Sequence, residues 1–338
     1  MTNNTVLVRS KEQVKKGNKN SAVILNALQL YDTAIYHLNT IWLFTFSDIK
    51  TIIVPTSLWG VFNALSGPCL TSNNPNNSAS ETRILKRIPL VVFWTWIMLL
   101  PFCINNQRRP EAIMEDKIGK GWRPLPAQRL TPVQATRLMY TLFAAEFVVS
   151  YTMSTTLPCI MGLVLGYGYN DLGGSERVFT RNLINSLGFS TFGLGASLVS
   201  MGSRHHYLNS NATLWFLVIG MVIFTTVHTQ DMHDREGDRV RGRRTLPLVI
   251  GDHPTRWVTA LTVTTWSFLC PRFWDLPWTG YVVPVAVGGS VSIRTLWLRS
   301  IKADKQTFQI WCFWTLSLYA LPAVKHFLAE DKTSCGAA

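Results

Sequence analysis

The stretch IPLVVFWTWIMLLPFCI, residues 88–104, contains no charged side chain, and the polar stretch NNQRRPEAIMED, residues 105–116, follows it directly. A helix that crosses a bilayer requires about 20 predominantly apolar residues, so this apolar stretch is close to the length of one membrane span. The sequence therefore predicts a membrane-spanning helix that ends in a loop rich in both acidic and basic side chains.

Apolar runs of this kind recur along the chain and are separated by short polar loops. We predict an all-α fold, a polytopic membrane bundle of about nine transmembrane helices. The predicted spans are residues 49–65, 88–104, 132–153, 157–169, 183–201, 213–229, 257–270, 278–296 and 308–327. Several of them are short or interrupted by glycine or proline, which leaves the count open by one helix.

The composition agrees with a chain surrounded by lipid. Hydrophobic residues make up 47% of the sequence and charged residues only 15%, below the roughly 25% that is usual for soluble domains. The net charge of +13 can indicate a nucleic-acid partner, but lysine and arginine are concentrated in the short loops between apolar runs. Because that distribution is typical of the positive-inside bias, we predict a lipid bilayer and no nucleic acid as partner.

The loops alternate in charge, which predicts an orientation. The loops after the predicted second, sixth and eighth helices are rich in lysine and arginine, whereas residues 69–82 contain neither and residues 202–211 contain only Arg204. The even-numbered helices are therefore expected to end at the cytosol. We predict a multi-pass protein of the endoplasmic reticulum whose active site faces the cytosol.

The two ends of the chain differ from its apolar middle. Residues 1–21 are polar and lack the apolar segment of a cleavable signal peptide, so we expect a disordered N-terminal tail there. The amphipathic residues 22–46 could lie at the membrane interface. We predict one transmembrane domain over residues 22–330 and a C-terminal tail over residues 331–338.

Three aspartates follow the predicted sixth helix, in the stretch DMHDREGDRVRGRRTLPL that begins at Asp231. If the helix continues, Asp231, Asp234 and Asp238 are spaced i, i+3, i+7 and share one face. Their charges repel one another, and the C-terminal end of a helix disfavours negative charge. A hard divalent cation such as Mg²⁺ removes both penalties. The fixed charges of Arg243 and Arg244, which follow, suit a diphosphate.

The alternative is an ordinary solvated loop. In that case the three acids would pair with neighbouring cations of the same loop, namely Arg235, Arg239 and Arg241. The spacing of the aspartates leaves this alternative open.

A second group of acids lies in the loop after the predicted second helix. Pro110 favours the first turn of a helix, and Glu111 and Glu115 then stack on one face of that helix. Asp116 lies about 100° away around the helix, where it can bind a metal through water or orient a neighbour. Acids followed by clustered cations suit a metal–diphosphate site, since the cations neutralise the leaving group. The cations downstream are Lys117, Lys120 and Arg123.

Seen alone, this loop could be an ordinary juxtamembrane loop whose acids happen to be spaced i, i+4. Two acidic loops on the same predicted side of the membrane make that coincidence less credible.

The second motif resembles the DxxDxxGD pattern of the UbiA superfamily of intramembrane prenyltransferases, with its Gly-Arg-Arg-Thr-Leu-Pro extension. The first loop departs from the superfamily's NDxxDxxxD pattern. Counted back from the Arg-Pro-Leu-Pro that begins at Arg123, Asp116 takes the place of the last aspartate and Ala112 that of the middle one. Under this resemblance Glu111 and Glu115 would take over the missing coordination.

Within the superfamily, the stretch NNQRRPEAIMEDKIGKGWRPLPAQRLT at residues 105–131 is more similar to the membrane-bound terpene cyclases of fungi, of the bergamotene-synthase type. The stretches LFTFSDIKT around Lys50 and YNDLGG around Asn170 and Asp171 share this similarity. Transferases of the superfamily tend to carry a lysine in the loop between the fourth and fifth helices, and this sequence has none there.

The resemblance implies a nine-helix bundle around a lipid-facing cavity, Mg²⁺ as cofactor and a farnesyl-type diphosphate as substrate. The implied catalytic residues are Asp231, Asp234, Asp238, Glu111 and Glu115. The implied metal ligands are these five together with Asn106 and Asp116. The implied substrate-binding residues are Lys50, Lys117, Lys120, Arg123, Arg243, Arg244, Asn170 and Asp171.

These predictions favour a class I terpene cyclase, in which Mg²⁺ and cations remove diphosphate and an aromatic-lined pocket stabilises the resulting carbocations. The second hypothesis is a prenyltransferase that moves the same prenyl group to an aromatic acceptor. A third, a transporter or channel with acidic gates, is disfavoured because the acids lie at loop edges beside cations and not in mid-membrane. No obligate protein partner is expected.

Overall fold

The computed structural model of the chain describes residues 26–72, 80–202 and 207–335. The chain divides into two compact units, Met1–Phe44 and Thr45–Ala338. In the first unit the described residues form one helix, α1. The tail predicted at residues 1–21, the start of the predicted amphipathic stretch and the last three residues of the chain lie outside the described residues.

The second unit is almost entirely helical, which confirms the predicted fold class. After a 3₁₀ turn at Phe46–Asp48 and a π-helical turn at Ile49–Ile53, its helices are α2 (Val54–Leu65), α3 (Glu81–Lys86), α4 (Ile88–Gln107), α5 (Pro110–Gly119), α6 (Pro132–Thr152), α7 (Thr156–Asn170), α8 (Val178–Met201), α9 (Ser210–Thr226), α10 (Arg235–Arg241), α11 (Leu246–Val249), α12 (Asp252–Phe273), α13 (Thr279–Trp297), α14 (Ile301–Tyr319) and α15 (Leu321–Cys335).

Two short strands, β1 (Thr71–Ser72) and β2 (Tyr207–Leu208), pair antiparallel and join the loops after α2 and α8.

Local sequence signals explain several helix starts. Thr131 caps α6 through a capping box with Gln134, and Pro132 occupies the first turn, where its missing N–H costs nothing. Asn209 caps α9 by accepting a hydrogen bond from the backbone N–H of Ala212. These caps fix where the helices begin and thereby place the loops between them.

Small residues of α8 allow α2 and α4 to approach it closely. A Cβ atom added at Gly195 would lie 1.9 Å from the ring of Trp94 on α4, and one added at Gly193 would lie 2.4 Å from the ring of Trp59 on α2. Both tryptophans are fully buried. Close packing of this kind on glycine is typical of helices that associate within a membrane.

Four helices of the described chain are long and apolar enough to cross a membrane. They are Asn26–Leu65, Ile88–Gln107, Val178–Met201 and Ser210–Met232. The count of nine spans stays a prediction, as does the interfacial position of the amphipathic stretch.

Helix bounds differ from the predicted spans in several places, and three of the differences affect the site or the number of helices. The helix predicted to continue through the three aspartates ends earlier, because α9 gives way after Thr226 to a 3₁₀ turn at Val227–Met232. The last predicted span is interrupted at Ala320, between α14 and α15. Helix α8 begins at Val178 and so includes a turn that was assigned to a loop.

Candidate active site

The two predicted acidic loops lie against each other, because α5 packs on α10. Glu115 of α5 is buried and accepts hydrogen bonds from Arg241 at 2.9 Å and from Arg243 at 3.0 Å. Arg241 also reaches the side-chain oxygen of Asn106, at 3.4 Å. The first and second motifs therefore form one site.

The second motif owes its shape to a break in the helix. Asp231 lies within the 3₁₀ turn, Asp234 is the N-cap residue of α10, and Asp238 lies inside α10. The three aspartates therefore do not share one face of a continuous helix. Asp234 and Asp238 lie near a helix N-terminus, where the peptide dipoles favour negative charge, which reverses the penalty expected from the sequence.

Gly242 explains why Arg243 turns back onto this helix. Gly242 follows the last residue of α10 with φ of +80°, a conformation that glycine adopts without strain. The backbone N–H of Arg243 then donates to the carbonyl of Asp238 at 2.9 Å. The Arg243 guanidinium lies between two acids, 3.0 Å from Glu115 and 3.2 Å from the Asp238 carboxylate.

Asp231 pairs with Arg181, a cation from α8. The two side chains are buried, and the Arg181 guanidinium donates to the Asp231 carboxylate at 2.6 Å. Arg181 also donates to the Tyr169 hydroxyl, again at 2.6 Å. Sequence reasoning missed both residues. A charged side chain in the first turn of an otherwise apolar helix was the available signal, but the span was predicted to start at residue 183.

Two buried carboxylate oxygens in this cluster have no hydrogen-bond partner among the described residues, Oδ2 of Asp231 and Oδ2 of Asp238. Burial, opposed by Arg181 and reinforced by the charge of Asp231, raises the pKa of Asp238 to about 6. Anionic oxygens without a hydrogen-bond donor are what a hard divalent cation binds. The donor chemistry of the cluster therefore fits such a cation.

Among the side chains that the structure describes, no three of type His, Cys, Asp or Glu converge closely enough to hold a metal ion on their own. Substrate phosphate oxygens and water would have to complete the coordination, which is usual for Mg²⁺.

The other predicted acids of α5 differ in their surroundings. Asp116 is buried and accepts from the Arg123 guanidinium at 2.8 and 3.1 Å. Burial raises its pKa and outweighs the opposing charge of Arg123. Glu111 is exposed and, in the described ranges, has no ion-pair partner, whereas Glu115 one turn later is buried.

The predicted cations also divide into two groups. Lys120 pairs with Asp234 at 3.1 Å. Burial disfavours the charged form of Asp234, yet Lys120 holds the pKa of that carboxyl below its ordinary value. Three further predicted cations have exposed side chains and form no ion pair within the described part of the chain: Lys50, Lys117 and Arg244.

The loop after α7 contains the predicted substrate-binding pair. Asp171 accepts from Asn105, Arg108 and Arg109, at 2.9, 2.9 and 3.0 Å, and so joins the end of α7 to the end of α4. Burial is outweighed by these donors, which hold the pKa of Asp171 below its ordinary value. Asn170 is buried, and neither of its amide atoms has a hydrogen-bond partner among the described residues.

The alternative of a loop whose acids pair only with its own arginines does not match this geometry. Arg235 pairs with Asp252 at 2.6 Å, Arg239 is exposed, and Arg241 pairs with Glu115 of the other motif.

Comparison with known proteins gives consistent matches. The profile of the UbiA prenyltransferase family matches residues 53–316. Fumagillin beta-trans-bergamotene synthase of Aspergillus fumigatus is 31% identical over 310 residues, which cover 90% of this chain and 98% of that protein. A diterpene cyclase of Hericium erinaceus is 25% identical over 278 residues, or 80% of this chain and 83% of that protein.

A solved structure has the same fold. A UbiA homolog from Archaeoglobus fulgidus, bound to GPP and Mg²⁺, superimposes with a TM-score of 0.55 at 10% identity, covering 83% of this chain and 99% of that chain.

Proposed function

Because this chain belongs to the UbiA prenyltransferase family, we propose that it is a membrane-bound class I terpene cyclase. It ionises farnesyl diphosphate with Mg²⁺ and cyclises the resulting allylic cation to a sesquiterpene, with release of diphosphate. The observation that carries the chemistry is the buried cluster in which Arg243 links Glu115 of one motif to Asp238 of the other.

We propose that the metal ligands are the acidic side chains of this cluster. Asp231 and Asp238 each have a buried oxygen without a hydrogen-bond partner among the described residues, and Asp234 stands between them in the chain. Glu115 and Asn106 would serve the first motif. When bound there, Mg²⁺ would draw electron density from the diphosphate and make it a better leaving group.

Two acids of the first motif are weaker candidates. Glu111 is exposed, and Asp116 is neutralised by Arg123. We propose that Asp116 binds the metal through a water molecule.

The same cluster contains the cations that a diphosphate needs. The guanidinium groups of Arg243 and Arg181 and the ammonium group of Lys120 now neutralise carboxylates. A bound diphosphate would compete for these donors with its own oxygens, and the negative charge that develops on it at ionisation would be stabilised by them. Arg181 would supply the fixed charge that a lysine of the loop between the fourth and fifth helices supplies in related transferases.

The other predicted cations have less support as ligands of the diphosphate. Lys50, Lys117 and Arg244 are exposed, so their contribution would require closer approach to the substrate. Asn170 has a buried amide with free hydrogen-bonding capacity, whereas Asp171 would act by positioning Arg108.

The relatives support cyclisation over transfer, since a bergamotene synthase and a diterpene cyclase align with most of this chain. The second candidate is transfer of a prenyl group to an aromatic acceptor. A polyprenyl transferase of Hericium erinaceus favours it, at 25% identity over 232 residues.

The chain is an integral membrane protein. We place it in the endoplasmic reticulum with the acidic cluster at the cytosolic face, on the distribution of loop cations.

The decisive experiment supplies the detergent-solubilised protein with farnesyl diphosphate and Mg²⁺ and no acceptor. A cyclase should release a volatile cyclic sesquiterpene into a hexane overlay, because the distal double bond of the same chain is a nucleophile at high effective concentration. Gas chromatography separates the outcomes. Linear alcohols alone, together with turnover that appears once a phenolic acceptor is added, would support the transferase. Addition of EDTA should abolish diphosphate release in either case.

A further inference from the structure

A cavity of about 270 Å³ lies between α4, α6 and α7, and Phe192 of α8 completes its lining. Its walls are mainly apolar and aromatic, with Met98, Phe102, Phe143, Leu163 and Phe192 among them. The polar end of the lining consists of Asn105, Arg108 and Asp171. At about 1.5 Å per helical residue, Met98 lies roughly 10 Å along α4 from Asn105.

Besides Asp171 at the polar end, a second acidic side chain lines this cavity, Glu146 of α6. It is only 2% exposed. Its Oε1 lies 3.8 Å from the Cys159 thiol, a weak donor, and its Oε2 has no hydrogen-bond partner among the described residues. A buried carboxyl group without a cation partner is costly. Inside a helix that we predict to cross the membrane, such a group is a functional residue by default.

A chain of contacts through two aromatic rings and Arg181 connects the cavity lining to the acidic cluster. Phe102 lines the cavity and contacts Tyr169, with 5.8 Å between the ring centroids. The Tyr169 hydroxyl accepts from Arg181 at 2.6 Å, and Arg181 pairs with Asp231. A diphosphate bound at the cluster and a hydrocarbon chain in the cavity would therefore meet at these rings. Aromatic faces beside the allylic carbon suit a developing cation.

We propose that this cavity receives the hydrocarbon chain of the prenyl diphosphate and that Glu146 is the base that ends the cyclisation. The inference rests on the proposed cyclase function for the role of Glu146. The assignment of the cavity to the prenyl chain holds equally for a cyclase and for a transferase.

The step balances as follows in atoms and electrons. Oε2 of the Glu146 carboxylate takes a proton from the carbon next to the final cationic centre. The electron pair of the broken C–H bond becomes the new C=C bond, and Glu146 is left as the neutral acid, the form that apolar surroundings favour. The acid returns its proton to water, by way of the polar end of the cavity, before the next turnover. No oxidant, reductant or further reactant is needed.

The first test compares Glu146→Gln with Glu146→Leu. Both variants should retain Mg²⁺-dependent diphosphate release, because Glu146 does not touch the acidic cluster. The wild-type hydrocarbon should fall by about 100-fold or more, the range for loss of a general base, and alcohols from capture of the cation by water should replace it. A Cys159→Ala control, which removes the thiol beside Glu146, should keep the wild-type product. An unchanged product profile in Glu146→Gln would overturn the assignment of the base.

The second test concerns the cavity and needs no turnover. A Cβ added at Gly162 would meet only the Met98 methyl, at 3.5 Å. The protein can therefore fold with a larger side chain at this position, and that side chain would fill part of the cavity. Gly162→Leu should weaken binding of the unreactive farnesyl thiodiphosphate by about tenfold or more, since apolar burial is lost. Binding of the shorter geranyl analogue should be spared.

The matched control is Gly188→Leu, at a position with no atom within 4 Å of the added Cβ and outside the cavity lining. It should bind both analogues like the wild type. Equal binding of the farnesyl analogue by Gly162→Leu and the wild type would overturn the cavity assignment. Failure of the wild type to make a cyclic product would count against the proposed cyclase and the Glu146 base, but not against the cavity.

Discussion

At the scale of single residues, Arg243 is a buried cation that links the two acidic motifs. Its side chain is 5% exposed and lies between two carboxylates from different loops. A buried ion pair is weak support for stability when intact, but removal of one partner leaves an uncompensated buried charge. Arg243 therefore links α5 to α10, and under the proposed function it is also a cation for the diphosphate.

Replacement of Arg243 by alanine should lower the free energy of unfolding by about 3–5 kcal/mol and raise KM for the prenyl diphosphate. The matched control is Arg239→Ala, which removes the same charge from an exposed position on α10 and should change either quantity little. Thermal unfolding in detergent and steady-state kinetics measure the two effects. Similar results for both variants would contradict a bridging role of Arg243.

The acids of the two motifs should differ in their effect on the chemical step. Asp234→Asn and Glu115→Gln keep the shape of the side chain but remove a charge from the proposed metal site. Each should slow diphosphate release by orders of magnitude, because several kcal/mol of charge stabilisation are lost. Glu111→Gln is the control on the same helix, and its exposed position predicts a small effect. A large loss in Glu111→Gln with normal rates in Glu115→Gln would reverse the assignment.

At the scale of helices, local sequence signals predict some helix boundaries and not others. Pro110 predicts the start of α5, and Pro322 at the second position of α15 accounts for the break after α14, a signal that apolar periodicity hides. The break after Thr226 has no such signal, because no glycine or proline lies between it and the aspartates. The buried pair of Asp231 with Arg181 stabilises that break, and a partner 50 positions away is invisible to local patterns.

The packing of α8 against α4 depends on the absence of a side chain at Gly195. Gly195→Ala should destabilise the protein by about 1–3 kcal/mol, the usual cost of overpacking, because the new Cβ would lie 1.9 Å from the Trp94 ring. Gly188→Ala, on the same helix with free space around it, should be neutral or slightly stabilising. Thermal unfolding in detergent would compare the two. Equal melting temperatures would mean that α4 and α8 are not packed as closely as described.

At the scale of the whole molecule, the sequence predicts the helical fold and the union of the two acidic loops, since apolar runs and loop charges both repeat along the chain. It does not predict the partners of the acids. Arg181 and Tyr169 reach the cluster only because α7 packs on α8, and α8 packs on α9 and on the 3₁₀ turn that follows it. That arrangement depends on contacts between distant segments. For the same reason the cavity around Glu146 has no signature in any one segment.

The contact between Glu115 and Arg241 requires the loops after α4 and α9 to lie on one side of the membrane. Labelling of introduced cysteines in sealed microsomes tests this. Lys117→Cys and Arg239→Cys, both exposed, should react with an impermeant maleimide from outside, since loops rich in cations face the cytosol. Asn211→Cys, exposed at the opposite end of α9, should react only after permeabilisation. Because the chain has cysteines of its own, the unsubstituted protein gives the background.

Inversion of all three results would reverse the orientation and leave the fold intact. Labelling of Lys117→Cys and Arg239→Cys from opposite sides would separate the two motifs by a membrane, and no single metal–diphosphate site could then contain both.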